Sequence, residues 1–300
     1  MGQSQHHSYA SPLRYPGGKG MLANFMKLIV SHNELLDGQY VELYAGGAGV
    51  AWQLLFQEYV TKVHINDLNK PLIAFWESVL EDTESLSRLI MDTPVEMETW
   101  FRQQEVQRHP QNHSRLDLGF STFFLNRTNR SGILKGGVIG GKKQTGKWKI
   151  DARYNKKDLV QRIQRIARYR NRVQIYNLDA EKFIATVLPD LPHKTLIYLD
   201  PPYYNKGQRL YENHYIRKDH ERIAHLISDI KQPWIVSYDG CSEVEELYKS
   251  YRNLHYHIGY SAQSRYSGSE YLFFSPKLLL PEVDDPKSVK THLLYEKYLL

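Results

Sequence analysis

Thr195-Leu196-Ile197-Tyr198-Leu199-Asp200-Pro201-Pro202-Tyr203 decides how this chain is read. Its apolar start describes a parallel strand whose side chains face protein on both sides. Such a strand ends where open α/β sheets place their ligands. Two consecutive prolines cannot continue a ladder, because neither has an N–H to donate. They fix a rigid, extended loop that carries one carboxylate, a row of carbonyls and one ring. Acceptors at an edge and a ring against a face suit a planar base with an exocyclic amine. A plain proline-stiffened turn would contain the same four residues.

Strand candidates alternating with helices flank this stretch. Tyr40-Val41-Glu42-Leu43-Tyr44 runs into Ala45-Gly46-Gly47-Ala48-Gly49-Val50, then an apolar helix through Trp52, Leu54, Leu55 and Phe56. Lys62-Val63-His64-Ile65-Asn66-Asp67 ends in an acid and precedes a helix over residues 70–80. Residues 173–177 and 234–238 are further short apolar strands, each followed by a helical pattern. This alternation implies an α/β fold with a mostly parallel sheet covered on both faces. Residues 253–259 and 270–275 have no helix between them and add antiparallel strands. Residues 86–170 break the rhythm with helices and a glycine-rich hairpin. They predict a second domain inserted into one formed by residues 1–85 and 171–300.

Three hundred residues with a single cysteine, Cys241, exclude a disulfide framework and a cysteine-rich zinc site. No stretch approaches the roughly 20 apolar residues of a membrane span. The polar start, residues 2–11, lacks the apolar core of a signal peptide. His6 and His7 read as a solvated tail, not a metal site. The expectation is a cytoplasmic protein with no metal and no membrane association.

The net charge of +6 is unevenly placed. Between Asn126 and Arg172, fifteen Lys and Arg face two acids, Asp151 and Asp158, so the rest of the chain carries −7. A segregated basic block is the footprint of a nucleic-acid surface. A solvated helix face explains part of the run over residues 162–172. It explains less of Asn126-Arg127-Thr128-Asn129-Arg130-Ser131-Gly132-Ile133-Leu134-Lys135-Gly136-Gly137 and of Gly140-Gly141-Lys142-Lys143-Gln144-Thr145-Gly146-Lys147-Trp148. There glycines let backbone approach phosphates, while Asn, Arg and Thr reach base edges.

The glycine turn after the first strand lets a ligand approach backbone at a helix N-terminus. It is no dinucleotide fingerprint, since Trp52 stands where the third glycine belongs. Asp67, 18 residues after Gly49, can accept both hydroxyls of a ribose, and the pairing suggests an adenosine-bearing cofactor. Arg14-Tyr15-Pro16-Gly17-Gly18-Lys19-Gly20 precedes a helix over residues 21–30 and favours an anion, such as a carboxylate.

Tyr15-Pro16-Gly17-Gly18-Lys19, residues 42–49, Asn66-Asp67, residues 125–132 and Asp200–Tyr203 occur in the order of another known set. Over nearly its whole length the chain resembles the Dam-type DNA adenine-N6 methyltransferases, the alpha-arranged D12 class. The resemblance implies a Rossmann-like methyltransferase sheet, S-adenosylmethionine as cofactor, and double-stranded DNA as partner. The insert becomes a mainly helical target-recognition domain bearing a β-hairpin. Tyr15 and Lys19 would contact the cofactor, Glu42, Ala45, Gly46 and Gly47 would shape its pocket, and Asp67 would hold the ribose. Asp179 would contact the cofactor adenine, although an Asp there is also a good helix N-cap. Asp200, Pro201, Pro202 and Tyr203 would be catalytic on a flipped-out adenine, with Asp200 also bordering the cofactor. Asn126, Arg127, Asn129, Arg130, Lys135, Lys142, Lys143 and Lys147 would touch DNA. A cognate restriction endonuclease, a phage origin and solitary gene control all stay open. So do cytosine-N4 chemistry, an RNA substrate, and an inactive DNA-binding protein that acts by occupancy. Residues 204–211 suggest a flap over the base, and residues 261–268 a further DNA contact.

Overall fold

The computed structural model describes residues 10–15, 18–204, 215–260 and 266–290. The suggested flap beyond Tyr204, most of the 261–268 loop and His6-His7 lie outside them. One seven-stranded sheet organises the chain. Its strands are β1 (Gly38–Glu42), β2 (Val60–Asn66), β3 (Val173–Tyr176), β4 (Thr195–Leu199), β5 (Trp234–Asp239), β6 (Arg252–Tyr260) and β7 (Tyr266–Phe274). They lie in the order β3-β2-β1-β4-β5-β7-β6. The first five are parallel, and β7 runs antiparallel to both β5 and β6. This is the mostly parallel α/β sheet expected from the alternating pattern, with the two expected antiparallel strands added at one edge.

The chain order reverses between β1 and β4, which pair with Glu42 opposite Tyr198. That switch point sets the glycine turn after β1 beside the Asp200 loop after β4, in the crevice where such sheets bind ligands. Every residue of β4 and β5 is buried, so both strands are largely apolar rather than alternating, with Thr195, Ser237 and Asp239 the buried polar exceptions.

Helices cover the sheet: α1 (Ala23–His32), α2 (Gly49–Phe56), α3 (Lys70–Glu81), α8 (Ala180–Thr186), α9 (Arg217–Leu226) and α10 (Ser242–Leu247). Between β2 and β3 come α4 (Thr83–Asp92), α5 (Met97–Arg108), α6 (Arg115–Thr128) and α7 (Lys156–Ala167) as well. Among the described residues no helix is long and apolar enough to cross a membrane.

The mainly helical character of residues 86–170 is present, and a Ser114–Asp117 capping box starts α6. Phe120, Phe123, Phe124, Trp100 and Tyr154 join the same apolar cluster as Trp52 and Trp76 under the sheet. Gly119 makes the close approach: a Cβ there would lie 2.7 Å from the Ala74 carbonyl on α3. The expected hairpin is reduced to a single antiparallel bridge between Asn129 and Val138. Ser131, Gly132, Gly140, Gly141 and Gln144 all take positive φ, which curls the chain into turns before strands can extend.

Candidate active site

Burial of charge marks the site. Lys19 opens a short 3-10 helix just after the Gly18 turn, and its side chain is only 4% exposed. Its ammonium donates to both oxygens of Asp200, at 2.8 and 3.0 Å, and lies 3.5 Å from Glu270. A carboxylate, that of the proline loop, thus lies beside the Gly-Gly-Lys turn. Burial opposes charge on Lys19, but Asp200 and Glu270 outweigh it and hold its pKa well above the ordinary lysine value. Burial raises the Asp200 carboxyl, with Lys19 pulling the other way.

Asp200 Oδ1 also accepts from Ser237 Oγ at 2.5 Å. Because a carboxylate only accepts, the Tyr198 hydroxyl 2.8 Å away donates to Ser237. Among the described residues Asp200 Oδ2 accepts from Lys19 alone, so acceptor capacity remains there. Glu270, on β7 with no exposed surface, accepts from Tyr203 at 2.8 Å and Tyr256 at 2.6 Å. Tyr203, the ring expected against the base, is 2% exposed, with its hydroxyl donating to Glu270 and Lys19 Nζ 5.4 Å from its ring centre. Pro201 is buried and Pro202 half-buried beside it.

Across the crevice, Gly46 carries the turn. Its φ is +48°, its N–H donates to Asp67 at 3.0 Å, and its carbonyl accepts from Trp76. The Tyr15 ring lies over it so closely that a Cβ on Gly46 would sit 2.7 Å from the ring, and one on Gly47 would meet Tyr15 at 3.4 Å. Ala45 is tied to Asn66 by a backbone bond. Asp67 Oδ1 accepts from Asn69 N–H and Oδ2 from Gly46 N–H, which among the described residues leaves each oxygen a lone pair. Glu42 Oε1 accepts from Ala51 N–H and the Tyr40 hydroxyl. Burial nevertheless pushes the Glu42 carboxyl up to about 8.

Asp179 stands apart. It is exposed and caps α8 by accepting from Glu181 N–H, the alternative its position had suggested. The basic segment divides in two. Asn126 is buried, accepting from Arg14 N–H and donating to the carbonyls of Arg14 and Gly132. Asn129 is buried, accepting from Trp100 Nε1 and donating to Ile133 and Leu134. Arg127 donates to the Arg153 and Pro12 carbonyls. These three were expected at base edges, but their polar atoms are spent holding the fold. Arg130, Lys135, Lys142, Lys143 and Lys147 are exposed.

The Lys19–Asp200 pair beside a glycine turn stands in a chain that matches the D12 class N6 adenine-specific DNA methyltransferases over residues 15–261. The chain belongs to that family. Methyl transfer is thus its class of chemistry. No curated protein matches the chain. Among solved structures it is similar to PH1948 of Pyrococcus horikoshii, described as a proposed RNA methyltransferase. The identity is 9%, over 92% of this chain and 91% of that one, with a TM-score of 0.42. It is also similar to protein LPL1258 of Legionella pneumophila, at 11% identity over 98% and 92%, with a TM-score of 0.34. Neither likeness bears on the substrate of this methyltransferase. Family motifs marked the site, yet Glu270, Ser237, Tyr198 and Tyr256 were missed. The one available signal was an acid within the apolar stretch Glu270-Tyr271-Leu272-Phe273-Phe274.

Proposed function

We propose that this protein transfers the methyl group of S-adenosylmethionine to N6 of an adenine flipped out of duplex DNA. The observation that carries the reading is Asp200, at the end of β4, with one oxygen still able to accept and the Pro201 carbonyl next to it. The lone pair of adenine N6 is delocalised into its ring, so the amine is a poor nucleophile. Two acceptors, Asp200 and the Pro201 carbonyl, would take its N–H bonds and draw the nitrogen toward tetrahedral geometry. Most of the acceleration would then come from positioning and fixed charge.

The residues across the crevice fit the cofactor. The two free lone pairs of Asp67 suit the two hydroxyls of a ribose, and the Tyr15-covered turn at Gly46 leaves backbone where a side chain would intrude. When bound, S-adenosylmethionine supplies a methyl group on a positively charged sulfur. Glu42, Ala45, Gly46 and Gly47 would border it. Lys19 acts by holding Asp200 in place, and Tyr203, tied to Glu270, acts as a wall of the pocket.

Flipping the base costs roughly a few kcal/mol. The exposed Arg130, Lys135, Lys142, Lys143 and Lys147 would hold the phosphates during this step. The test is transfer of labelled methyl from S-adenosylmethionine to adenine in duplex DNA. Asp200→Ala abolishes transfer and leaves DNA binding. Label on cytosine N4, label only in RNA, or failure to bind the cofactor would overturn the proposal.

A further inference from the structure

Ser237 sits in the middle of β5 with no exposed surface, and its hydroxyl is spent on the proline loop. Strand pairing puts it there. Leu199 stands opposite Val236, so the next residue of each strand, Asp200 and Ser237, meet as β4 ends. Side chains alternate between faces along a strand, which sets Tyr198 and Asp200 on the same face of the sheet. Ser237 Oγ bridges these two, 2.8 Å from the Tyr198 hydroxyl and 2.5 Å from Asp200 Oδ1. The chain of protons has one direction. A carboxylate has none to give and serine has a single one, so Tyr198 donates to Ser237 and Ser237 to Asp200. The 2.5 Å separation is that of a charge-assisted bond. Lys19 reaches both carboxylate oxygens. Among the described residues, Oδ1 therefore has two donors and Oδ2 one.

We infer that Ser237 is a positioning residue which, backed by Tyr198, fixes the plane of the Asp200 carboxylate so that its second oxygen faces the base amine; this rests on the proposed transfer to adenine N6. The lysine alone does not fix that plane, because an ammonium set between two oxygens tolerates tilting about the Cβ–Cγ bond. A short bond to one oxygen from the neighbouring strand removes the freedom. Tyr198 removes another, since a serine hydroxyl rotates to suit its partners and an incoming donor turns its proton toward Asp200. The same bond favours the ionised carboxylate, the form that accepts. The other ionisable groups facing Asp200 are Lys19, Glu270, Glu42, Tyr40, Tyr256 and, in its own loop, Tyr203. None of them bonds to Ser237, so substitutions at Ser237 and Tyr198 leave them in place.

Single-turnover methyl transfer to duplex DNA by the full chain, followed across pH, tests this. Ser237→Ala should move the acid limb up by about one pH unit, a tenfold change in Asp200 ionisation or about 1.4 kcal/mol. The plateau rate should also fall about tenfold. Tyr198→Phe should move the limb less, in the same direction. In the Ser237→Ala background it should move nothing further, because the chain is already cut. An acid limb that stays in place in Ser237→Ala, or two losses that simply add, overturns the inference while wild-type transfer keeps the proposed function standing. If the wild-type chain methylates no adenine, both fall together. Thermal unfolding checks the variants, and the double variant leaves no orphaned hydroxyl, since donor and acceptor go together. Should Ser237→Ala alone fail to fold, Tyr198→Phe is read by itself: a raised limb supports the inference and an unmoved one overturns it.

Discussion

Lys19 Nζ contacts both carboxylate oxygens of Asp200, across 181 positions of sequence. The pair joins the first loop of the chain to the proline loop after β4. Burial raises the Asp200 carboxyl, and Lys19 is the main influence holding it down. Lys19→Met should therefore raise it further. The acid limb of the pH profile for methyl transfer will move to higher pH, because Asp200 must be ionised to accept. Removing one partner of a buried pair also costs roughly 3–5 kcal/mol of stability. An acid limb that stays in place would show that Asp200 does not set it.

Gly46 pairs a left-handed backbone with a ring against its Cα. Gly46→Ala brings about 1–2 kcal/mol of backbone strain and displaces Tyr15. Cofactor affinity measured by calorimetry should fall. Adding Tyr15→Ala should cost less in the Gly46→Ala background than in wild type, because the collision is already relieved. Strictly additive losses in this double-mutant cycle would mean that the two residues act separately.

Glu42 gives the cofactor-free protein a distinct pH dependence. Its folded pKa of about 8 lies above the ordinary carboxylate value, so the folded state favours the protonated form. The stability it contributes is complete below the unfolded pKa and is lost as pH rises through about 8. Thermal unfolding from pH 5 to 9 should show wild-type Tm falling more than that of Glu42→Gln, which keeps a neutral acceptor. Parallel curves would exclude Glu42 as the source.

Two classes of residue in the basic segment should separate by mutation. Asn129→Ala leaves Trp100 Nε1 without its acceptor and two carbonyls without a donor, so Tm should drop while the methylated sequence stays the same. Trp148 is 61% exposed, with Lys147 and Arg153 against its ring, whereas Trp52, Trp76, Trp100 and Trp234 are buried. Duplex DNA should quench the fluorescence of Trp148. Trp148→Ala should weaken binding by about 1–3 kcal/mol, the range for an aromatic stacked on a base. Quenching that persists in Trp148→Ala would place the contact elsewhere.

The sheet was legible because short, largely apolar runs are closed by a glycine turn or an acid, as in residues 40–49 and 195–200. The order of the strands was not, since pairing of β1 with β4 depends on contacts about 150 residues apart. Asp200, Lys19, Gly46 and Asp67 stood out through local chemistry. Glu270 did not, because its meaning comes from two tyrosines and a lysine brought from elsewhere in the fold. Asn126 and Asn129 misled for a related reason. A polar residue among glycines and arginines reads as a surface contact until its partners, the half-buried Arg14 and the buried Trp100, are seen.

Arg14, held at both its N–H and its carbonyl by the Asn126 amide, precedes Tyr15 on the glycine turn and, five positions on, Lys19 on Asp200. The segment that would read DNA and the pocket that would hold the methyl donor thus hang on one short tether. Modular exchange is constrained accordingly. A foreign insert grafted between β2 and β3 would have to carry an asparagine at the end of its own helix, or the transplant would loosen the Gly46 turn and the Asp200 loop along with the specificity it was meant to replace.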